Sequence, residues 1–231
     1  MMKLWQMRGR ELSAAVSALI VLWAPGSVQA QSPVSLVSPS SIRLSVENPQ
    51  QIQPLTYSLQ ISADGSGVYR AALSGEGIAG ETVQLAFHIQ EPLLSHLFDA
   101  VRSPRFFAEC EPTGGRVAFT GKKTLEYKGP ERTGSCTFNY AREKAANEVA
   151  EELIAVAYTL QEGVRLSRDH RYDRLGLYDE LASLQDAAHE HRALELENIA
   201  PELQSIAQDD AVMNIARRRA QALLTASTNS R

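Results

Sequence analysis

Thr82-Val83-Gln84-Leu85-Ala86-Phe87-His88-Ile89-Gln90-Glu91-Pro92-Leu93-Leu94-Ser95-His96-Leu97-Phe98-Asp99-Ala100-Val101 decides the fold, because its hydrophobic period changes in the middle. Val83, Leu85, Phe87 and Ile89 alternate with polar or small partners, the period-two pattern of a half-buried strand. After Glu91 the apolar positions are Leu93, Leu94, Leu97, Phe98 and Val101, which share one face of a helix. Pro92 suits a first helical position, and Ser103-Pro104 closes the helix.

Upstream, period two persists. Ile42, Leu44 and Val46 alternate with polar residues, as do Leu55, Tyr57, Leu59 and Ile61. Asp64-Gly65-Ser66-Gly67 then offers residues that tolerate positive φ, and Tyr69, Ala71 and Leu73 resume the alternation, so residues 55–74 read as a β-hairpin. Downstream of the helix, strand-like pieces are expected at Arg116–Thr120, Thr124–Lys128 and Ser135–Tyr140, separated by glycine-containing turns. The Gly75, Gly77 and Gly80 cluster leads into a strand and does not form a phosphate cradle, which requires a following helix.

From Ala141 the composition turns to Ala, Leu, Glu, Gln and Arg. Ala146, Val149, Leu153, Val156 and Leu160 form a helical seam, and Gly163 is a plausible stop. Further helices are expected at Tyr178–Ala188, Arg192–Ile199, Pro201–Gln208 and Asp210–Leu224, with Asp209 or Asp210 as a cap. The fold class is therefore α+β: an N-terminal antiparallel sheet with one covering helix, followed by a C-terminal all-α domain. The expected organisation is a signal peptide at 1–30, a Ser/Pro-rich tether at 31–41, a β-rich domain at 42–140, a helical domain at 141–225 and a disordered tail at 226–231.

The first thirty residues set the expected compartment. Lys3, Arg8 and Arg10 precede an apolar stretch from Leu12 to Ala24, and Val28-Gln29-Ala30 supplies small residues at −3 and −1 of a cut. The apolar run falls well short of the roughly 20 residues of a spanning helix. The reading is export, to the periplasm or the extracellular medium, with cleavage near Ala30 and no stable membrane span afterwards. The whole chain carries a net charge of −4, with three basic residues and one acidic inside the signal, so the chain after cleavage is expected to be more acidic still. That balance opposes general affinity for nucleic acid. Cys110 and Cys136 are the only cysteines, and an isolated pair in an oxidising compartment reads as a disulfide.

Motifs for chemistry are sparse. His189-Glu190-His191 lacks the i, i+4 spacing of a helical zinc pair, so no metal site and no cofactor is expected. Glu109 and Glu111 flank Cys110 and read as exposed carboxylates. Lys123 and Tyr127, with Lys122, Lys128, Arg132 and Tyr140, make a basic-aromatic patch that suits an anionic polymer, although edge lysines also serve to block strand pairing. Arg168 to Arg174 concentrates polar side chains in an apparent interhelical segment. Asp169, His170, Arg171 and Asp173 are its candidate contact residues. The functional expectation is a non-enzymatic binding or envelope-interaction module of bacterial type, its partner an unidentified protein or envelope component. The alternative is an exported hydrolase assembled from distant His, Asp and Glu residues. Convergence in one cleft of any two of His88, His96 and His189 with acidic residues favours that alternative.

Overall fold

A computed structural model describes residues 39–49, 52–72, 82–108, 110 and 121–229. The signal region, most of the tether, Leu73, the Gly75–Gly80 cluster, Glu109, Glu111 and the strand expected at Arg116–Thr120 lie outside the described residues.

Among the described residues six antiparallel strands form one sheet in the order β4-β3-β2-β1-β5-β6. They are β1 (Ser41–Glu47), β2 (Thr56–Ser62), β3 (Ser66–Ala72), β4 (Thr82–His88), β5 (Lys122–Lys128) and β6 (Thr133–Phe138). The chain meanders through the first four, crosses the sheet with helix α1 (Leu93–Arg102), and returns with β5 beside β1. Gly65, at φ 83°, makes the β2–β3 turn, a backbone state that other residues rarely adopt. The register follows from the alternation. Leu85, Tyr69, Leu59, Leu44, Leu125 and Cys136 are paired neighbours in one row across all six strands. A one-residue slip of any strand would move its apolar set to the opposite face.

α1 turns Leu97, Phe98 and Val101 into the sheet's core. Pro92 stands at its N-cap, one position before the expected one. Cys110 and Cys136 are joined by a disulfide. The bridge ties the segment after α1 to β6, and both cysteines belong to the core.

Helix α2 (Lys144–Tyr172) follows directly. Asn147, nearly buried, anchors its start: Nδ2 donates to the Ala141 and Glu143 carbonyls at 2.8 and 3.2 Å, and Oδ1 accepts the Ala141 N–H at 2.9 Å. The first half of α2, from Ala146 to Leu160, belongs to the same core as the sheet. Its later Leu166 belongs to a second core, shared with α3 (Leu177–His189), a 3-10 turn (Leu196–Ile199), α4 (Ala200–Gln208) and α5 (Asn214–Asn229). The described residues cluster as one compact unit, and α2 contributes to both cores.

Three details differ from the sequence expectations. Gly163 does not stop the helix, which runs nine residues further, to Tyr172. Its missing Cβ serves packing instead, because a Cβ there would collide with Ile199 Cγ2. Glycine costs a helix only about 1 kcal/mol relative to alanine, too little to end one buried along its length. Of the helix expected at Arg192–Ile199, only Leu196–Ile199 is helical, as a 3-10 turn. α3 ends in a Schellman turn in which His191 adopts φ 57°, Arg192 N–H donates to Ala187 O at 2.8 Å and His191 N–H to Ala188 O at 3.2 Å. A second left-handed residue, Glu195 at φ 57°, precedes the 3-10 turn. Finally, Asp209 caps the end of α4 while α5 begins at Asn214, and α5 continues through residues 226–229.

Candidate functional site

The connection between β4 and α1 leaves residues 90–96 beside the middle of α2, and the Schellman turn brings residues 188–197 to the same place. Between them lies a groove of about 1140 Å³. Its floor is apolar, with Leu93, Ile154, Ala155, Tyr158, Leu194 and Leu196. Among the described residues its lining also carries seven glutamates (Glu91, Glu148, Glu151, Glu152, Glu190, Glu195 and Glu197) and one arginine, Arg192.

Several of these carboxylates are held by local chemistry. Glu91 accepts the Ser95 N–H at 3.1 Å in the first turn of α1. Glu190 pairs with Arg192 at 2.6 Å, and Glu148 with Lys144 at 2.8 Å. Glu152 Oε1 meets His96 Nδ1 at 3.1 Å, while its Oε2 is buried without a partner. Burial lifts the Glu152 carboxyl above its ordinary range, and His96 offsets part of that rise. Glu195 accepts the Gln90 N–H at 3.1 Å. Burial pushes its carboxyl up to about 7; the Gln90 hydrogen bond opposes the rise and the nearby Glu197 charge adds to it.

Next to Glu195, Asn198 fastens the 3-10 turn to the end of β4. Its Oδ1 accepts the His88 N–H at 2.7 Å and its Nδ2 donates to the His88 carbonyl at 2.8 Å. These two bonds hold one wall of the groove against the sheet.

Of the three histidines singled out from the sequence, His96 and His189 line the groove with the glutamates, and His88 does not. His189, Glu190 and His191 are exposed on the turn that ends α3. Among the described residues no group of three or more His, Cys, Asp or Glu side chains is placed to hold a metal ion.

The contact residues expected from the sequence lie elsewhere. Tyr127 is 3% exposed and packs edge-on against Phe98, so its ring is core and not part of a surface patch. Lys123 is half-buried, its Nζ donating to the Asn139 carbonyl at 2.8 Å, and burial lowers its ammonium from the ordinary range. The 168–174 segment is not an interhelical loop. It is the last turn of α2 and the following turn, since the helix continues past Gly163. There Asp169 pairs with Arg168 at 2.8 Å, His170 with Asp209 at 2.9 Å, and Asp173 Oδ1 accepts the Gly176 N–H at 3.1 Å. Arg171 is exposed and stacks over Tyr172.

Sequence reading missed Ile154, Tyr158, Glu152 and Glu195 as groove residues. Glu195 and Gln90 are 105 residues apart, and no local pattern signals that they meet. No protein-family model matches the chain, and no curated protein is similar to it in sequence.

Proposed function

We propose that the protein is an exported binding or envelope-interaction module, released near Ala30, whose acidic groove holds a cationic ligand with an apolar body. The observation that carries this reading is a groove lined, among the described residues, by apolar side chains together with seven glutamates and one arginine. An apolar floor favours burial of hydrocarbon, at about 25 cal/mol per Å². A surplus of carboxylates favours positive charge and speeds its approach. Export is supported by the tripartite pattern of residues 1–30 and by the Cys110–Cys136 disulfide, a bond that persists in oxidising compartments. Among the described residues no helix is long and apolar enough to cross a membrane.

A second reading, an acid–base hydrolase, is favoured by one feature: the His96–Glu152 pair shares the groove with His189 and with Glu195, whose carboxyl sits near neutrality. A group with that pKa is suited to proton transfer at neutral pH. Two measurements separate the readings. Calorimetric titration with an amphipathic peptide of leucines and lysines should show binding, weakened about tenfold or more by Glu151→Lys with Glu197→Lys. Absence of binding would sink the first reading. Hydrolysis of nitrophenyl esters or glycosides that disappears with His96→Gln would establish the second.

A further inference from the structure

Among the described residues β4 lies at one end of the sheet, with β3 as its neighbour on one side only. Asn198 bonds both main-chain groups of His88, so these point away from β3, and Ile89 N–H donates to Gly65 O on the β3 side. Strand alternation places the N–H and C=O of Ala86 and Gln84 outward with those of His88. Among the described residues these outward groups have no partner. Edge strands are usually blunted by lysine, proline or a bulge. β4, Thr-Val-Gln-Leu-Ala-Phe-His, carries no proline, lysine, arginine or carboxylate, and its pairing with β3 is continuous.

A second groove, about 470 Å³, runs beside this edge. Leu85, Leu160, Val164 and Ile199 give it an apolar wall, and Val164 is 40% exposed on α2. Arg168 and Arg171 also line it. Arg168 is engaged by Asp169, but Arg171 has no carboxylate partner among the described residues and lies over Tyr172, which is 77% exposed. Glu202 lines the groove as well, with one carboxylate oxygen buried and unpartnered, ready to accept an N–H.

We propose that the β4 edge and its groove form a second docking site, distinct from the acidic groove, for an extended peptide that adds a strand to β4. Alternate apolar side chains enter the wall formed with α2, and an acidic side chain reaches Arg171. Asn198 already makes a strand-like pair of bonds at His88, so it marks where the added strand stops. Main-chain bonds supply affinity in this mode, and side-chain pockets on alternate positions supply selectivity.

The test is a fluorescence-anisotropy titration of the full chain with two labelled heptapeptides alternating threonine and valine, one ending in two glutamates and the other in two lysines. The glutamate peptide should bind, and the lysine peptide should bind at least about fivefold more weakly, a preference that Arg171→Gln removes. Ala86→Pro deletes one outward N–H without touching the β3 ladder and should weaken binding about tenfold or more, whereas Ala86→Val should not. Val164→Glu, at an exposed helix position, should weaken it comparably and guards against misfolding of the proline variant. No binding of the glutamate peptide at ~1 mM would overturn the proposal. So would equal binding by Ala86→Pro and Ala86→Val, or a dimer dissolved by Ala86→Pro, which would put a second copy on the edge.

Discussion

Replacing Glu195 by glutamine should make the protein more stable at alkaline pH and leave it unchanged at acid pH. Burial raises this carboxyl from an ordinary 4.5 to about 7. Between those values the folded state holds more proton than the unfolded state, so stability falls as pH rises. The stabilisation is fully present below 4.5 and is lost as pH passes 7. A rise of that size has a ceiling of about 3 kcal/mol, and partial exposure of the residue reduces it to roughly 1–2 kcal/mol. Glutamine retains an oxygen for the Gln90 N–H and occupies the same left-handed backbone, so the substitution removes only the charge. For a unit of this size the gain near pH 8 corresponds to roughly 2–8 °C in Tm, read by circular dichroism in parallel melts near pH 5 and pH 8. Glu162, 1% exposed and also raised to about 7, adds a slope of the same sign to both proteins and cancels in the difference. A loss of stability near pH 8 would refute the reasoning, as would an equal gain at both pH values.

Three other outcomes follow from packing and bonding. Cys110→Ser with Cys136→Ser opens a bridge spanning 26 residues and should cost roughly 3 kcal/mol in denaturant unfolding. Asn147→Ala leaves the buried Ala141 N–H and C=O without their partner and should cost about 2–3 kcal/mol in the same assay. Gly163→Ala gains about 1 kcal/mol of helix propensity but drives a methyl against Ile199, an overpacking cost of about 1–3 kcal/mol. Melting should therefore show net destabilisation, and because Ile199 is itself core, Gly163→Ala with Ile199→Ala should cost less than the sum of the two single substitutions.

The sheet is legible in the sequence because each strand has one wet face. Alternation in Ile42–Val46, Tyr57–Ile61 and Val83–Ile89 marks the strands, and the period change at Glu91 marks α1. The Cys110–Cys136 pairing needs only compartment and count. Helix ends are less legible. Gly163 and the residues around Arg192 illustrate opposite errors: a weak local breaker overridden by burial, and good helix formers overridden by left-handed turns at His191 and Glu195. The acidic groove is not legible at all, since α1, α2, the end of α3 and the 3-10 turn converge only after folding. The 168–174 residues look functional by composition, yet Asp169, His170 and Asp173 are engaged in ion pairs and a turn, which a polar sequence cannot distinguish from a recognition loop.

The most direct measurement of the central claim is amide chemical-shift mapping of the 15N-labelled protein titrated with the leucine–lysine peptide. Shifts concentrated at Leu93, Ile154, Tyr158 and residues 194–197, and reduced by Glu151→Lys with Glu197→Lys, are the predicted result. Shifts absent there, or confined to the β4 edge and the end of α2, would contradict the assignment of the acidic groove as the ligand site.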